Sequence, residues 1–254
     1  MFANSFNVLG TSPTPVTLTQ VDWQRFLGQP ANSALAVTLP YPGQVITATD
    51  PIFGEANFLL AYGAVGLQIG DAVSIGAGYA TTRAISTTRG LIGISMSANI
   101  DPTALSWFAV RGQVPARLAA AAVNAPLYTS ATAGSLTSAV LATQGVVGAF
   151  ALTGQAGAIG TKQISTLIGS NLLGVSNIDG LYVGAAVSGV GIPASTTILA
   201  IGYGGLMLGY AGPPPGFVQL SANATATASV VGTFTHGPAF ALVAVSHAAA
   251  ANLG

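Results

Sequence analysis

Two histidines, His236 and His247, and six carboxylates, Asp22, Asp50, Glu55, Asp71, Asp101 and Asp179, are the side chains of this 254-residue chain that could carry acid–base or metal chemistry. There is no cysteine, which excludes disulfides, thiol nucleophiles and thiolate metal sites. Serines are plentiful enough to complete a Ser-His-Asp arrangement on paper. A nucleophile elbow, however, needs Gly-x-Ser-x-Gly at a strand-to-helix turn, and "VSGVG" at 187–191 does not supply it. Both histidines therefore read better as structural or solvent-exposed groups than as bases. Metal sites need clustered ligands. Asp50 and Glu55 are the closest pair of acids in the sequence, and Asp179 would have to rely on backbone carbonyls to hold calcium. Paired carboxylates for glycoside hydrolysis would require two scattered acids to converge.

Two glycine-rich stretches invite a nucleotide reading. "GQAGAIGTKQ" at 154–163 places Thr161 between Gly160 and Lys162, with Gln163 after it, so the Gly-Lys-Ser/Thr of a phosphate loop is missing. "GYGGLMLG" at 202–209 lacks the Gly-x-Gly-x-x-Gly register and no βαβ pattern surrounds it. Turns and bulges account better for these glycines. The aromatic residues, Trp107 and Phe108 among them, lie in strand-like runs and read as core. An exposed aromatic platform for carbohydrate is the weaker reading. No catalytic, cofactor-binding or metal residues are expected, and the chain is expected not to be an enzyme.

Composition narrows the partners. Charged residues are 5% of the chain, against roughly 25% in an ordinary soluble domain. The six basic residues, Arg25, Arg83, Arg89, Arg111, Arg117 and Lys162, cancel the six acids. Six scattered cations cannot form a basic patch, so nucleic-acid binding is not expected. A near-neutral surface favours association, which suits a chain packed against copies of itself or a partner. "MFANSFNVLG" has neither a basic n-region nor an apolar h-region, so no secretory signal is expected there. "TTILAIGYGGLMLGYAGPPPG", 196–216, is apolar, but glycines break it and three prolines end it, short of the roughly 20 apolar residues of a membrane span.

The elements that must carry these residues are read as β throughout. Residues 1–50 hold prolines at 13, 15, 30, 40 and 42 and read as an extended arm, with one short helix at 19–28 capped by Thr19. Phe2, Phe6, Trp23 and Phe26 are its candidate contacts with capsid or neighbouring subunits. Residues 51–152 alternate strand-like runs (57–65, 71–78, 90–98, 105–114 and 144–152) with glycine turns, and 126–139 reads as strand, turn around Ala133-Gly134, strand, the pattern of a small barrel or sandwich. Residues 153–236 form a second Thr/Val/Ile-rich β module. The run 239–246 reads as a strand that can pair back, so that 237–254 complete the first β domain and the second module is an insertion. The alanine run Leu118–Val123, confined between Pro115 and Pro126, is expected to be extended or loop despite the helix propensity of alanine.

The segments "NFLLAYGAVGLQIGDAVSI", "RGLIGISMSANIDPTALSWFAVRGQVPARLAAAAVNAPLYTSATAGSLTSA" and "GVVGAFAL", within residues 57–152, resemble the capsid decoration (cement) proteins of tailed bacteriophages. The carrying features are the short strands, Trp107 five residues before Gly112, the alanine run, "LYTSATAGSLT" and the Gly-Val-Val-Gly strand. "VSGVGIPASTTILAI" with "VQLSANATATAS" resembles a β module of phage tail and fibre proteins. The resemblance implies a homo-oligomer, with a trimer favoured, bound to the major capsid protein on the outer surface of a virion and stabilising the shell. A tail, baseplate or fibre subunit with receptor-binding capacity is the alternative; a bacterial surface-layer protein is disfavoured by the missing signal.

Overall fold

The computed structural model describes residues 3–4, 42–140, 145–203, 216–246 and 249–252. Within them the protein is all-β, apart from one 3-10 turn at Ala77–Tyr79. The strands are β1 (Ala3–Asn4), β2 (Val45–Asp50), β3 (Gly54–Tyr62), β4 (Ala72–Ile75), β5 (Thr81–Arg83), β6 (Gly90–Ser95), β7 (Leu105–Ala120), β8 (Ala125–Thr129) and β9 (Leu136–Thr137). They continue with β10 (Gly145–Ala151), β11 (Ala158–Thr166), β12 (Leu172–Val175), β13 (Ala186–Ser188), β14 (Ile198–Tyr203), β15 (Gly216–Leu220), β16 (Ala228–Thr235), β17 (Phe240–Ser246) and β18 (Ala249–Asn252). The chain divides into two compact units: Gln155–Ala241, inserted, and a split unit made by Phe2–Gly154 and Leu242–Gly254.

In the split unit, β7, β9, β8, β10 and β17 pair in a closed circuit of five strands. β17 closes it by pairing with both β10 and β7. The antiparallel partners Ala149↔Val245 and Ala151↔Val243 hold together the two chain segments between which the other unit is inserted. A narrow barrel has little interior volume, and small side chains meet that constraint: Val114, Ala116, Ala149, Ala151 and Val243 are all buried. The alanine run is therefore extended through Ala120 in β7, with Ala116 inside and Ala119 exposed. A turn follows at Asn124, whose φ is +58°. Pro115 lies between the part of β7 paired with β3, ending at Gly112, and the part paired with β9, beginning at Leu118. It interrupts neither of these two ladders of the 16-residue strand.

β2 and β3 form a hairpin with Val45↔Leu59 through Asp50↔Gly54 in register. Asp50 Oδ1 accepts the Ile52 and Phe53 N–H groups at 2.8 and 3.0 Å and so fixes the turn. Leu59, Ala61, Leu67, Val73, Phe108 and Val110 form one buried cluster of this unit. The strand expected at 71–78 stops at Ile75, because Gly78 and Tyr79 adopt positive φ and bend the chain into the 3-10 turn. The short helix expected at 19–28 lies outside the described residues.

The inserted unit is a six-stranded antiparallel sheet in the order β13-β16-β11-β12-β15-β14. Alternation sets its inner face: Val218 and Leu220 are buried while Phe217 and Gln219 face out. Ile164, Leu173, Val175, Val218 and Phe234 supply the core. Its edges β13 and β14 meet through a single bridge, Ala186–Thr197, flanked by Val187 N–H to Thr196 O at 3.0 Å and Ile198 N–H to Ala185 O at 2.9 Å.

Candidate functional site

Of the residues the sequence singles out, His236 is the most changed by being seen in place. It is 1% exposed at the end of β16. Its Nδ1 lies 3.0 Å from Tyr182 Oη, and Gly237 N–H donates to the same Oη at 3.3 Å. Tyr182 Oη and His236 Nδ1 thus share one hydrogen bond, whose direction follows the imidazole tautomer. Burial lowers the His236 pKa to about 4 and raises that of Tyr182. A weakly basic, enclosed imidazole is a poor general base at neutral pH. The Tyr182 ring also packs on Phe240 at 5.4 Å, and the backbone N–H of His236 donates to Gly157 O at 2.8 Å. A Cβ on Gly237 would collide with Gly184 O. Tyr182 and His236 thus pin the segment in which the inserted unit begins and ends. His247 lies outside the described residues.

The carboxylates are placed as follows. Asp50 caps a turn, and Asp101 Oδ1 accepts from Thr103 N–H and Oγ1–H at 2.8 and 2.7 Å. Among the described residues no group of three or more His, Asp or Glu side chains could hold a metal ion. "GQAGAIGTKQ" runs into β11, with Lys162 Nζ donating to Asn177 Oδ1 at 2.6 Å, rather than turning into a helix N-terminus. Trp107 and Phe108 are buried in β7. The arm residues Phe2, Phe6, Trp23 and Phe26 lie outside the described residues. Ala3 and Asn4 of the arm are described, and they add a strand to β2 through Ala3↔Thr49 and Asn4↔Ala48.

Two arrangements were not visible in the sequence. The first surrounds Asp71, which is fully buried. Its Oδ2 accepts from Arg83 Nε at 2.7 Å and Gln68 N–H at 2.9 Å, and Arg117 Nη1 lies 3.4 Å from Oδ1. Arg83 Nη2 continues to Ala133 O at 2.7 Å, beside Gly134. One carboxylate therefore ties β4, β5, β7 and the β8–β9 connection together.

The second is an open groove of about 250 Å³ in the split unit, lined by Glu55, Asn57, Arg111, Gln113, Ala244 and Ser246 among others. It lies where the face of β3 that buries Leu59 and Ala61 reaches the strand's beginning and becomes polar. A bulge makes the change: the register slips between Asn57↔Arg111 and Phe58↔Ala109. Gly112, at φ +107°, is packed so closely that a Cβ would come within 2.5 Å of Glu55 O. The signal in the sequence is the "RGQ" at 111–113 inside a strand-like run, because an interior glycine marks a bulge or a close backbone approach.

No protein-family model, curated protein or solved structure matches the chain.

Proposed function

We propose that this chain is a structural protein of a bacteriophage particle that binds the outer surface of the capsid as a homo-oligomer and stabilises the shell. The observation that carries the reading is the character of the surface. Large apolar side chains stand well exposed on it, including Val65 at 80% and Ile100 at 62%, while charged residues are only 5% of the chain. Single exposed apolar residues are ordinary in proteins; their combination with so few charges is not. Such a surface suits many weak, uncharged contacts repeated by symmetry, which sum through multivalency and lose little strength in salt. The pairing of Ala3 and Asn4 with β2 supports the arm as a strand-adding segment, a common mode of protein–protein attachment. The resemblance of residues 57–152 to decoration proteins supplies the partner, the major capsid protein.

Co-sedimentation of the purified chain with shells lacking it tests the reading. Saturable binding, little changed between low and high salt, is expected; absence of binding to shells assembled from the cognate capsid protein contradicts it.

A second reading, a tail, baseplate or fibre subunit, is favoured by one observation in the inserted unit. Phe217 is 46% exposed, and both of its cross-strand neighbours, Gly174 and Gly202, lack side chains. An aromatic ring raised on a bare sheet face suits recognition of a receptor.

A further inference from the structure

Charges are scarce in this chain, and most of the described ones are satisfied within it. Asp71 holds Arg83 and Arg117, Arg89 donates to the Ser86 and Thr88 carbonyls, and Lys162 bonds Asn177. Asp50 and Asp101 each accept from turn N–H groups. Arg111, Glu55 and Asp179 differ: none makes a side-chain hydrogen bond or ion pair with any other described residue, and of the three Arg111 and Glu55 lie together. Both are exposed, and both line the same groove. The pairing Asn57↔Arg111 and Ala56↔Gly112 puts them on neighbouring strands, diagonally related on one face. One free cation and one free anion in a single concave patch make that patch complementary to itself.

We infer that this groove is a two-fold contact between copies of the chain, in which Arg111 of each copy pairs with Glu55 of the other. Each copy then gives one arginine and receives one carboxylate, so no charge is left over. The surroundings suit such a contact. Asn57 and Gln113 offer further donors and acceptors within the groove. Phe150, 52% exposed, lies directly across from Ala244 at its border and can be covered by the neighbour. Arginine and aromatic residues are the types enriched where protein surfaces meet. The bulge and the closely packed Gly112 set where Arg111 enters the groove, so this backbone irregularity has a use beyond the fold of one copy.

The inference deepens the reading of the chain as a homo-oligomeric shell component and rests on it. Its test is a charge exchange on the full-length chain, followed by sedimentation equilibrium at low and high salt. Glu55→Arg and Arg111→Glu, each alone, set like charges against each other and are expected to weaken self-association at least about tenfold. The double variant E55R/R111E restores opposite charges and is expected to return to within about threefold of the parent, because the coupling between the two sites is removed and rebuilt as a unit. Salt weakens the Arg–Glu part of self-association in the parent and the double variant alike, while the uncharged contacts with the shell keep their strength. Thermal melts accompany each measurement, and both positions are exposed, so folding is expected to be retained. A parent chain that stays monomeric at high concentration overturns the inference. So does an oligomer indifferent to both single reversals, or a double variant no better than the singles. Shell co-sedimentation separates this from the functional reading: an oligomer insensitive to the reversals that still binds shells discards this contact alone.

Discussion

Arg83 donates its Nε–H to the buried Asp71 carboxylate at 2.7 Å, joining residues twelve apart in the chain into one half of a two-arginine clasp. The carboxylate is wholly buried while the arginines are about a quarter exposed. Removing the anion leaves two cations facing an uncharged pocket. Asp71→Asn is therefore expected to destabilise the split unit by about 3 kcal/mol, toward the low end for breaking a buried ion pair because the arginines keep some water. Urea unfolding with an unchanged slope and a lowered midpoint is the check.

Gly134 and Gly54 provide a matched comparison of backbone strain and packing. Both have φ close to +80°. A Cβ on Gly134 would strike the Asp71 carboxyl group, whereas a Cβ on Gly54 meets nothing within 4 Å. Gly54→Ala is expected to cost about 1 kcal/mol, the left-handed penalty alone. Gly134→Ala should cost at least twice as much, and adding Asp71→Asn to it should give less than the sum, since the two share one contact. Equal losses for the two alanines would refute the role given to the clasp.

The strands are legible in the sequence because Val, Ile, Thr and aromatic runs end in glycine turns, and the alanine run is extended because two prolines confine it. The full length of β7 is not legible, since Gly112 and Pro115 both look like endings until their partner strands are known. Nor is the Asp71 clasp, whose second arginine is 46 residues away. Arg111 and Glu55 share a groove only through strand pairing that no local pattern announces. His236 is a different case. Its structural role follows from the missing nucleophile motif, while Tyr182, its partner, lies 54 residues earlier without a signature.

His236 should give the inserted unit an acid-sensitive stability. Unfolded, its imidazole titrates near 6.5; folded, burial holds it near 4. Between those values the unfolded chain binds the proton and the folded chain does not. The contribution is thus complete above about pH 6.5 and is lost as pH falls toward 4, to a total of about 3 kcal/mol. His236→Gln is expected to lower stability at neutral pH and to remove that part of the slope. A slope unchanged by the substitution would assign the acid sensitivity elsewhere.

The arm is expected to matter for attachment rather than for folding. Deleting residues 1–41 removes the β1 partner of β2 but none of the strands of the closed circuit. The far-ultraviolet spectrum and cooperative melting should persist, while occupancy on capsid shells should fall to background. Unchanged occupancy would rule out the arm, and with it Phe2, Phe6, Trp23 and Phe26, as the capsid anchor.

The central proposal concerns where the chain resides, and a cryo-electron microscopy reconstruction of intact particles from the source that encodes it measures that directly. Expected is density matching the closed five-stranded circuit and the inserted six-stranded sheet on the outer face of the capsid shell, repeated at symmetry-related positions. Density for the same folds confined to the tail or baseplate, or a shell whose outer face carries none, would contradict it.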